Sequence, residues 1–201
     1  METLVREALR EFEVASLNHR PENLTNAAPP ISDGALAEVI ERLAPLRLPD
    51  SIIEIARWHD GGFTLDTPAA KWLSLTESFA HRDAIRNFYR REVDTWPVPM
   101  MPFPDQWFPI VDSGGLTRIV ELANEPRPDS PVWWYDHGGG PSLLPNHSSV
   151  EKLLRVSSAH CRGEGDPQST ALSMKLDPGY GRHEYVEHYP ENWPDRWDTT
   201  I

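Results

Sequence analysis

His137-Gly138-Gly139-Gly140 is the stretch that most resembles catalytic equipment in this 201-residue chain. A histidine followed by glycines lines the oxyanion hole of some esterases, where bare backbone lets N–H groups face a developing negative charge. Such a hole works only beside a nucleophile. The chain has no Gly-x-Ser-x-Gly elbow and no alternating β–α–β pattern to mount one, so the motif reads as a glycine-rich connection after a strand. His183-Glu184-Tyr185-Val186-Glu187-His188 imitates a zinc-protease helix, but that motif needs histidines at i and i+4, so that both rings leave one helical face. Here they are five apart, between Gly181 and Pro190, and read as surface histidines. His59-Asp60, His137 and His147 form a site only if folding gathers them, and a histidine beside an acid at a helix end reads first as a local hydrogen-bonding pair. Cys161 follows His160, yet neighbours in a helix point in different directions, so its thiol reads as structural. There is no phosphate-binding glycine loop ending in Lys-Ser or Lys-Thr, and Gly179-Tyr180-Gly181 is only a fragment of a dinucleotide fingerprint. The residues predict no catalytic constellation, no metal and no cofactor.

Composition narrows the classes further. Formal net charge is −12 and the pI is near 5.0, which argues against direct nucleic-acid or anionic-membrane binding and suits a cationic partner. Hydrophobic content of 39% is low for a globular chain, whereas 20 prolines and 8 tryptophans are many. That balance predicts long ordered loops, with large aromatics supplying much of the buried area. A single cysteine cannot form an internal disulfide. With no basic start followed by an apolar run, and no apolar stretch of about 20 residues, the expectation is a cytoplasmic protein.

The elements can be placed from periodicity and punctuation. Val5, Ala8, Leu9, Phe12 and Ala15 predict an amphipathic first helix. Ser32 predicts a cap for a second, with Leu36, Val39, Ile40 and Leu43 as its apolar stripe and Pro45 at its end. The next unit, Leu48 to Gly62, carries signals at both ends. Pro49 suits a first helical position, Ile52, Ile55, Ala56 and His59 share one face, and Gly61 supplies a left-handed terminator before Gly62. Trp72 to Leu75 reads as a strand. Thr76 then starts a helix with Glu77 in its first turn and Ile85, Phe88 and Tyr89 on one face. Proline recurs too often between Trp96 and Pro104 for helix, so that run reads as extended loop. Trp107 to Val111 and Leu116 to Ala123, joined through Gly114-Gly115, predict a hairpin. Val132 to Tyr135 predicts another strand, and Ser148 with Glu151 predicts a capping box for a last helix.

Helices first, then strands in hairpin order with an interrupting helix, indicate an α+β fold: a mostly antiparallel sheet packed against several helices. The expected organisation is one domain over 1–162, with its core over roughly 32–160, and an acidic aromatic C-terminal extension over 163–201. That extension holds eight acidic and three basic side chains. Its Tyr180, Tyr185, Tyr189, Trp193 and Trp197 suggest docking on the core or on a partner, since segments that stay unfolded are aromatic-poor.

The order of several motifs resembles the SUKH superfamily. They are Leu48-Pro49 through the helix to Gly61-Gly62, then Trp72-Leu73-Ser74-Leu75, Trp107-Phe108-Pro109-Ile110 before Gly114-Gly115, Pro131-Val132-Trp133, and Ser148-Ser149-Val150-Glu151. The resemblance spans roughly Ser32 to His160 and implies the same α+β fold, with Leu48, Pro49, Gly61, Gly62, Trp107, Gly114, Gly115, Val132 and Trp133 in structural roles. It implies a non-catalytic binding protein, foremost a bacterial immunity protein that neutralises a cognate toxin. Such toxins are often nucleases, and a nuclease surface is generally positive. The alternatives are a regulatory scaffold of the cell-wall-assembly type and, further off, a small hydrolase. Asp60, Asp66, Asp105 and Asp136 are the candidate contact residues, chosen for charge and expected loop position.

Overall fold

The structure, a computed structural model, describes residues 3–92, 103–136, 142–166 and 169–182. The readings for His137 to Gly140, His183 to His188, most of the Trp96 to Pro104 run, and Tyr185, Tyr189, Trp193 and Trp197 lie outside these residues. Within them the chain folds as α1 (Leu4–His19), a 3-10 turn (Pro21–Leu24), α2 (Asp33–Leu43), α3 (Asp50–Trp58), β1 (Lys71–Trp72), α4 (Leu75–Glu92), β2 (Trp107–Asp112), β3 (Leu116–Glu121), β4 (Val132–Asp136), β5 (Ser142–Pro145), α5 (Val150–Cys161) and α6 (Thr170–Leu176). The strands form one antiparallel sheet in the order β1-β2-β3-β4-β5, so the fold is α+β.

Strand alternation divides the core into two clusters. Phe108 and Ile110 of β2, Val120 of β3 and Val132 of β4 join the buried faces of α1, α2, α3 and α5. Trp107, Ile119, Trp133, Tyr135 and Leu143 point to the other side, where Ile85 of α4 and Phe103 cover them. All five predicted apolar positions of α1 are buried. In α2 the stripe is narrower than its sequence suggests: Leu36, Val39 and Leu43 are buried, but Ile40 is 47% exposed. Phe88 of α4 likewise faces outward, whereas Ile85 is buried.

The Leu48 to Gly62 unit is structural, as expected, but its ends work differently. Pro49 stands one residue before the helix rather than in its first turn. Ile52, Ile55 and Ala56 are buried, while His59 has already left the helix in extended geometry (φ −146°, ψ 125°). Gly61 is left-handed (φ 85°), yet it lies three residues past the helix and does not terminate it. A Cβ there would lie 2.2 Å from the Ser74 amide nitrogen, and one on Gly62 (φ 82°) would lie 2.0 Å from the Asn26 carbonyl oxygen. The two glycines pass between neighbouring backbones, with Gly62 N–H donating to Trp72 O and Ala28 N–H to Gly61 O at 2.9 Å each. Close approach of three chain segments, as well as turn conformation, demands glycine here.

Two helix starts also differ from expectation. Ser74 and Glu77 form the reciprocal capping box of α4: Glu77 N–H donates to Ser74 Oγ at 3.1 Å and Ser74 N–H to Glu77 Oε2 at 2.9 Å. The helix therefore begins at Leu75, and the preceding strand is only two residues long. At α5 the cap is Ser149, which accepts from Lys152 N–H at 3.1 Å, and not Ser148. Glu151 pairs with Arg155 and Lys152 instead of reaching back. Asp129 supplies what a capping box would, accepting from Val150 N–H and Glu151 N–H at 3.1 Å each. These amides would otherwise be unpaired at the positive end of the helix.

Beyond α5 the chain turns back on the core. Leu172 of α6 is buried, Asp177 is wholly buried, and Gly181 N–H donates to Asn146 O at 2.9 Å.

Candidate partner-binding surface

The four candidate acids fall in different environments. Asp60 follows the extended His59, whose Nδ1 lies 2.6 Å from Ala28 O and so carries the donated proton. Asp60 Oδ1 accepts the Leu75 N–H at 2.9 Å, at the start of α4. Burial raises its pKa; the Leu75 hydrogen bond lowers it and nearby Glu77 raises it again. Asp105 is exposed beside α4, held by Arg86 at 2.5 Å. Asp136 ends β4, half-buried, directly across from Leu116 on one side and Ser142 on the other.

Asp66 is no rim acid. Its carboxylate meets Arg118 through two contacts, Nη2–Oδ2 at 2.8 Å and Nη1–Oδ1 at 3.4 Å, with side-chain exposures of only 12% and 5%. Burial acts to raise the Asp66 pKa, but the charge and hydrogen bonds of Arg118 outweigh it and hold the carboxyl below its ordinary value. Arg118 lies over the Trp134 ring at 4.4 Å from its centroid, a cation–π contact in a largely closed site.

Register then defines a surface. Arg118 pairs with Trp134 and Trp134 with Leu144, while Leu116 pairs with Asp136. Side chains directly opposite, or two apart along a strand, share a face. Leu116, Arg118, Trp134, Asp136 and Leu144 therefore lie on one side of the sheet, past the end of the helical core. Asp66 and Asp136 are brought to this face, and Asp60 and Asp105 to the surroundings of α4.

The C-terminal part of the described chain borders that face. Tyr180 receives the Asn146 Nδ2 donor at 3.4 Å and sits edge-on to His147 with ring centroids 5.0 Å apart. Asp177 accepts from Ser148 N–H at 2.7 Å, Ser148 Oγ at 2.6 Å and Gly179 N–H at 3.0 Å. His147 Nδ1 is 3.5 Å from the same carboxylate. Burial acts to raise the Asp177 pKa, yet the neighbouring His147 and the two Ser148 hydrogen bonds hold it far below the carboxylate range. Burial lowers the His147 pKa despite its Asp177 partner, so the imidazole is neutral at ordinary pH.

Ser148, His147 and Asp177 contain the three residue types of a hydrolytic triad, but their order is wrong for one. A triad places histidine between hydroxyl and carboxylate, so that it can take the nucleophile's proton. Here the carboxylate stands in the middle and binds the hydroxyl directly, while the imidazole is buried. The arrangement locks the chain after α6 onto the start of α5. Cys161 is likewise built in: its Sγ receives Asn23 Nδ2 at 3.3 Å and lies 3.7 Å from Ser16 Oγ, and burial raises its pKa.

The sequence reading missed Arg118, Trp134 and the Asp177 lock. A signal existed for the first two, because Arg118 and Trp134 each stand two residues from a core valine, Val120 and Val132, and so share its face.

Among the described residues no three or more His, Cys, Asp or Glu side chains are grouped to hold a metal ion, and no helix is long and apolar enough to cross a membrane. A family model described as SMI1 / KNR4 family (SUKH-1) matches residues 30–155. No curated protein matches the chain.

Proposed function

Since the chain belongs to the SMI1/KNR4 (SUKH-1) family, we propose that it is a non-catalytic binding protein, a bacterial immunity protein that holds and neutralises a cognate toxin in the cytoplasm. The family match carries this reading. Its support in the chain is twofold. Ser148, His147 and Asp177, side chains of the types a catalytic set uses, are spent on joining elements of the fold. The net charge of −12 suits a cationic partner such as a nuclease domain. Asp105 and Asp136 are the contact acids in this reading. Asp66 and Asp60 support the surface from behind, through Arg118 and the α4 amide.

The test is to express the toxin-like protein encoded beside this chain's gene, alone and together with this protein, and to follow both cell survival and association kinetics. Survival should be restored. The association rate should fall as salt rises, with dissociation changing much less, because screening acts on the long-range approach. Asp105→Lys should slow association modestly. Failure of rescue together with failure to bind would end the immunity reading. Rescue with a salt-independent association rate would reduce the net charge to a role in solubility.

A further inference from the structure

Three helices begin around one groove of about 490 Å³: α1 after Thr3, α3 after Pro49 and α5 after Ser149. The loop before β4 joins the last two. Asp50 N–H donates to Arg127 O at 2.9 Å, Ser51 N–H to Pro128 O at 3.0 Å, and the Asp129 carboxylate takes the first amides of α5. Buried Val5 and half-buried Ile53 line the groove, and Leu4 stands at its rim, 64% exposed. Its charges are unequal, with Asp50, Glu54, Asp129 and Glu151 set against Arg6 and Arg57. Thr3 Oγ1 and Arg6 satisfy Glu54 at 2.5 and 3.3 Å, and Arg155 and Lys152 hold Glu151. Arg57 is drawn to Asp33, outside the lining, at 3.8 Å. Asp50 and Asp129 have no cationic side chain within ion-pair distance among the described residues. Asp129 accepts from the Ser130, Val150 and Glu151 amides, yet burial still raises its pKa. The groove thus combines apolar walls with two acids that no base of this chain neutralises.

We propose that the protein partner docks in this groove, seating an apolar side chain against Leu4, Val5 and Ile53 and a lysine or arginine beside Asp50 and Asp129. The inference rests on the proposed function and adds to it the surface and the chemistry of the contact. Size permits it, since the groove falls within the range of roughly 300–1,000 Å³ that ligand pockets occupy. Charge selects the occupant. An acidic segment would be repelled by Asp50 and Asp129, and a wholly apolar one would strip water from both carboxylates without replacing it. A basic side chain next to the apolar one removes both penalties. The helix starts do not recruit an anion instead, because carbonyl groups and Asp129 already take the first amides of α3 and α5. Position separates the groove from Asp136. Strand β4 runs from Val132, near Asp129, to Asp136, so its ends lie roughly 13 Å apart. Asp105, beside α4, and Asp136 therefore act on the approach of the partner, and the groove sets the lifetime of the complex.

The experiment uses the intact chain and the toxin-like protein encoded beside its gene, with association and dissociation measured separately. Leu4→Asp should speed dissociation about tenfold, the effect of no longer burying the exposed part of a leucine. Asp50→Lys should speed it as well, whereas Asp136→Lys should slow association and leave dissociation nearly unchanged. Leu4 and Asp50 are exposed, so melting curves of their variants should match the wild type. Should either variant melt early, a second measurement decides: a photo-reactive phenylalanine analogue replaces Leu4, and its cross-links to the toxin-like protein are mapped by mass spectrometry. They should fall on a segment with a lysine or arginine next to an apolar side chain. Wild-type binding with both groove variants dissociating within about twofold of it would overturn the inference and leave the proposed function standing. A cross-link to an acidic segment, or none, would do the same. A wild-type chain that does not bind the toxin-like protein would end both.

Discussion

Replacing Asp66 by asparagine tests the central electrostatic element of the sheet face. The substitution preserves side-chain shape and removes one charge. Arg118 keeps its guanidinium in a site where only 5% of the side chain reaches solvent, and an amide cannot neutralise it. Breaking a buried pair from one side costs about 3–5 kcal/mol, most of it the penalty of the charge left behind. For a chain of this length each kcal/mol shifts Tm by roughly 2–4 °C, so a fall of about 6–20 °C is expected at neutral pH. Asp66→Asn/Arg118→Met, which removes both charges, should recover much of the loss. The pH dependence has a defined sign. The folded pKa of Asp66 is lowered, so its contribution is complete above the unfolded value of about 3.9 and disappears as pH falls through the lower folded value. The wild type should therefore lose stability more steeply than Asp66→Asn in acid below about pH 4. Urea unfolding followed by circular dichroism, from neutral pH into acid, measures all three quantities. A neutral-pH loss below about 1 kcal/mol, the range of exposed ion pairs, would refute the claim that the site is closed.

Three further outcomes follow from the packing. Ile55→Ala should cost about 2–5 kcal/mol in the same unfolding assay, because Ile55 is fully buried; a loss below about half a kcal/mol would mean that α3 is not part of the core. Gly61→Ala should destabilise more than the ordinary cost of a left-handed alanine, since its methyl group would sit 2.2 Å from backbone nitrogen, and thermal melts should place it well below a Gly114→Ala control, whose surroundings are open. Cys161 should resist a thiol-specific reagent in the native protein and react on unfolding, because its thiol is buried with a raised pKa; rapid native labelling would contradict this placement.

The amino-acid sequence by itself determined whatever depends on neighbours along the chain. The stripes of α1 and α3 follow from helical period, and the β2–β3 hairpin follows from Gly114-Gly115 between two apolar runs. The ordered motifs from Leu48 to Glu151 identify the family, because their succession carries more information than any one of them. Helix starts were partly legible: serine caps belong at these positions, but Ser148 and Ser149 are adjacent, and only the folded position of Asp177 decides which one is drawn away. Gly61 shows the same division. Its left-handed backbone was legible, but the reason that no side chain fits is the β1–α4 junction, which folding brings against it. Asp66 and Arg118 stand 52 residues apart, and no local pattern tells a solvated loop acid from one whose charge is matched across the sheet. The short strand β5 and the anchored turn after α6 also escaped the reading, since four strand residues carry little periodic signal. Partner choice among charged groups, and the space available to a glycine, are properties of distance in three dimensions, so only the tertiary structure could decide them.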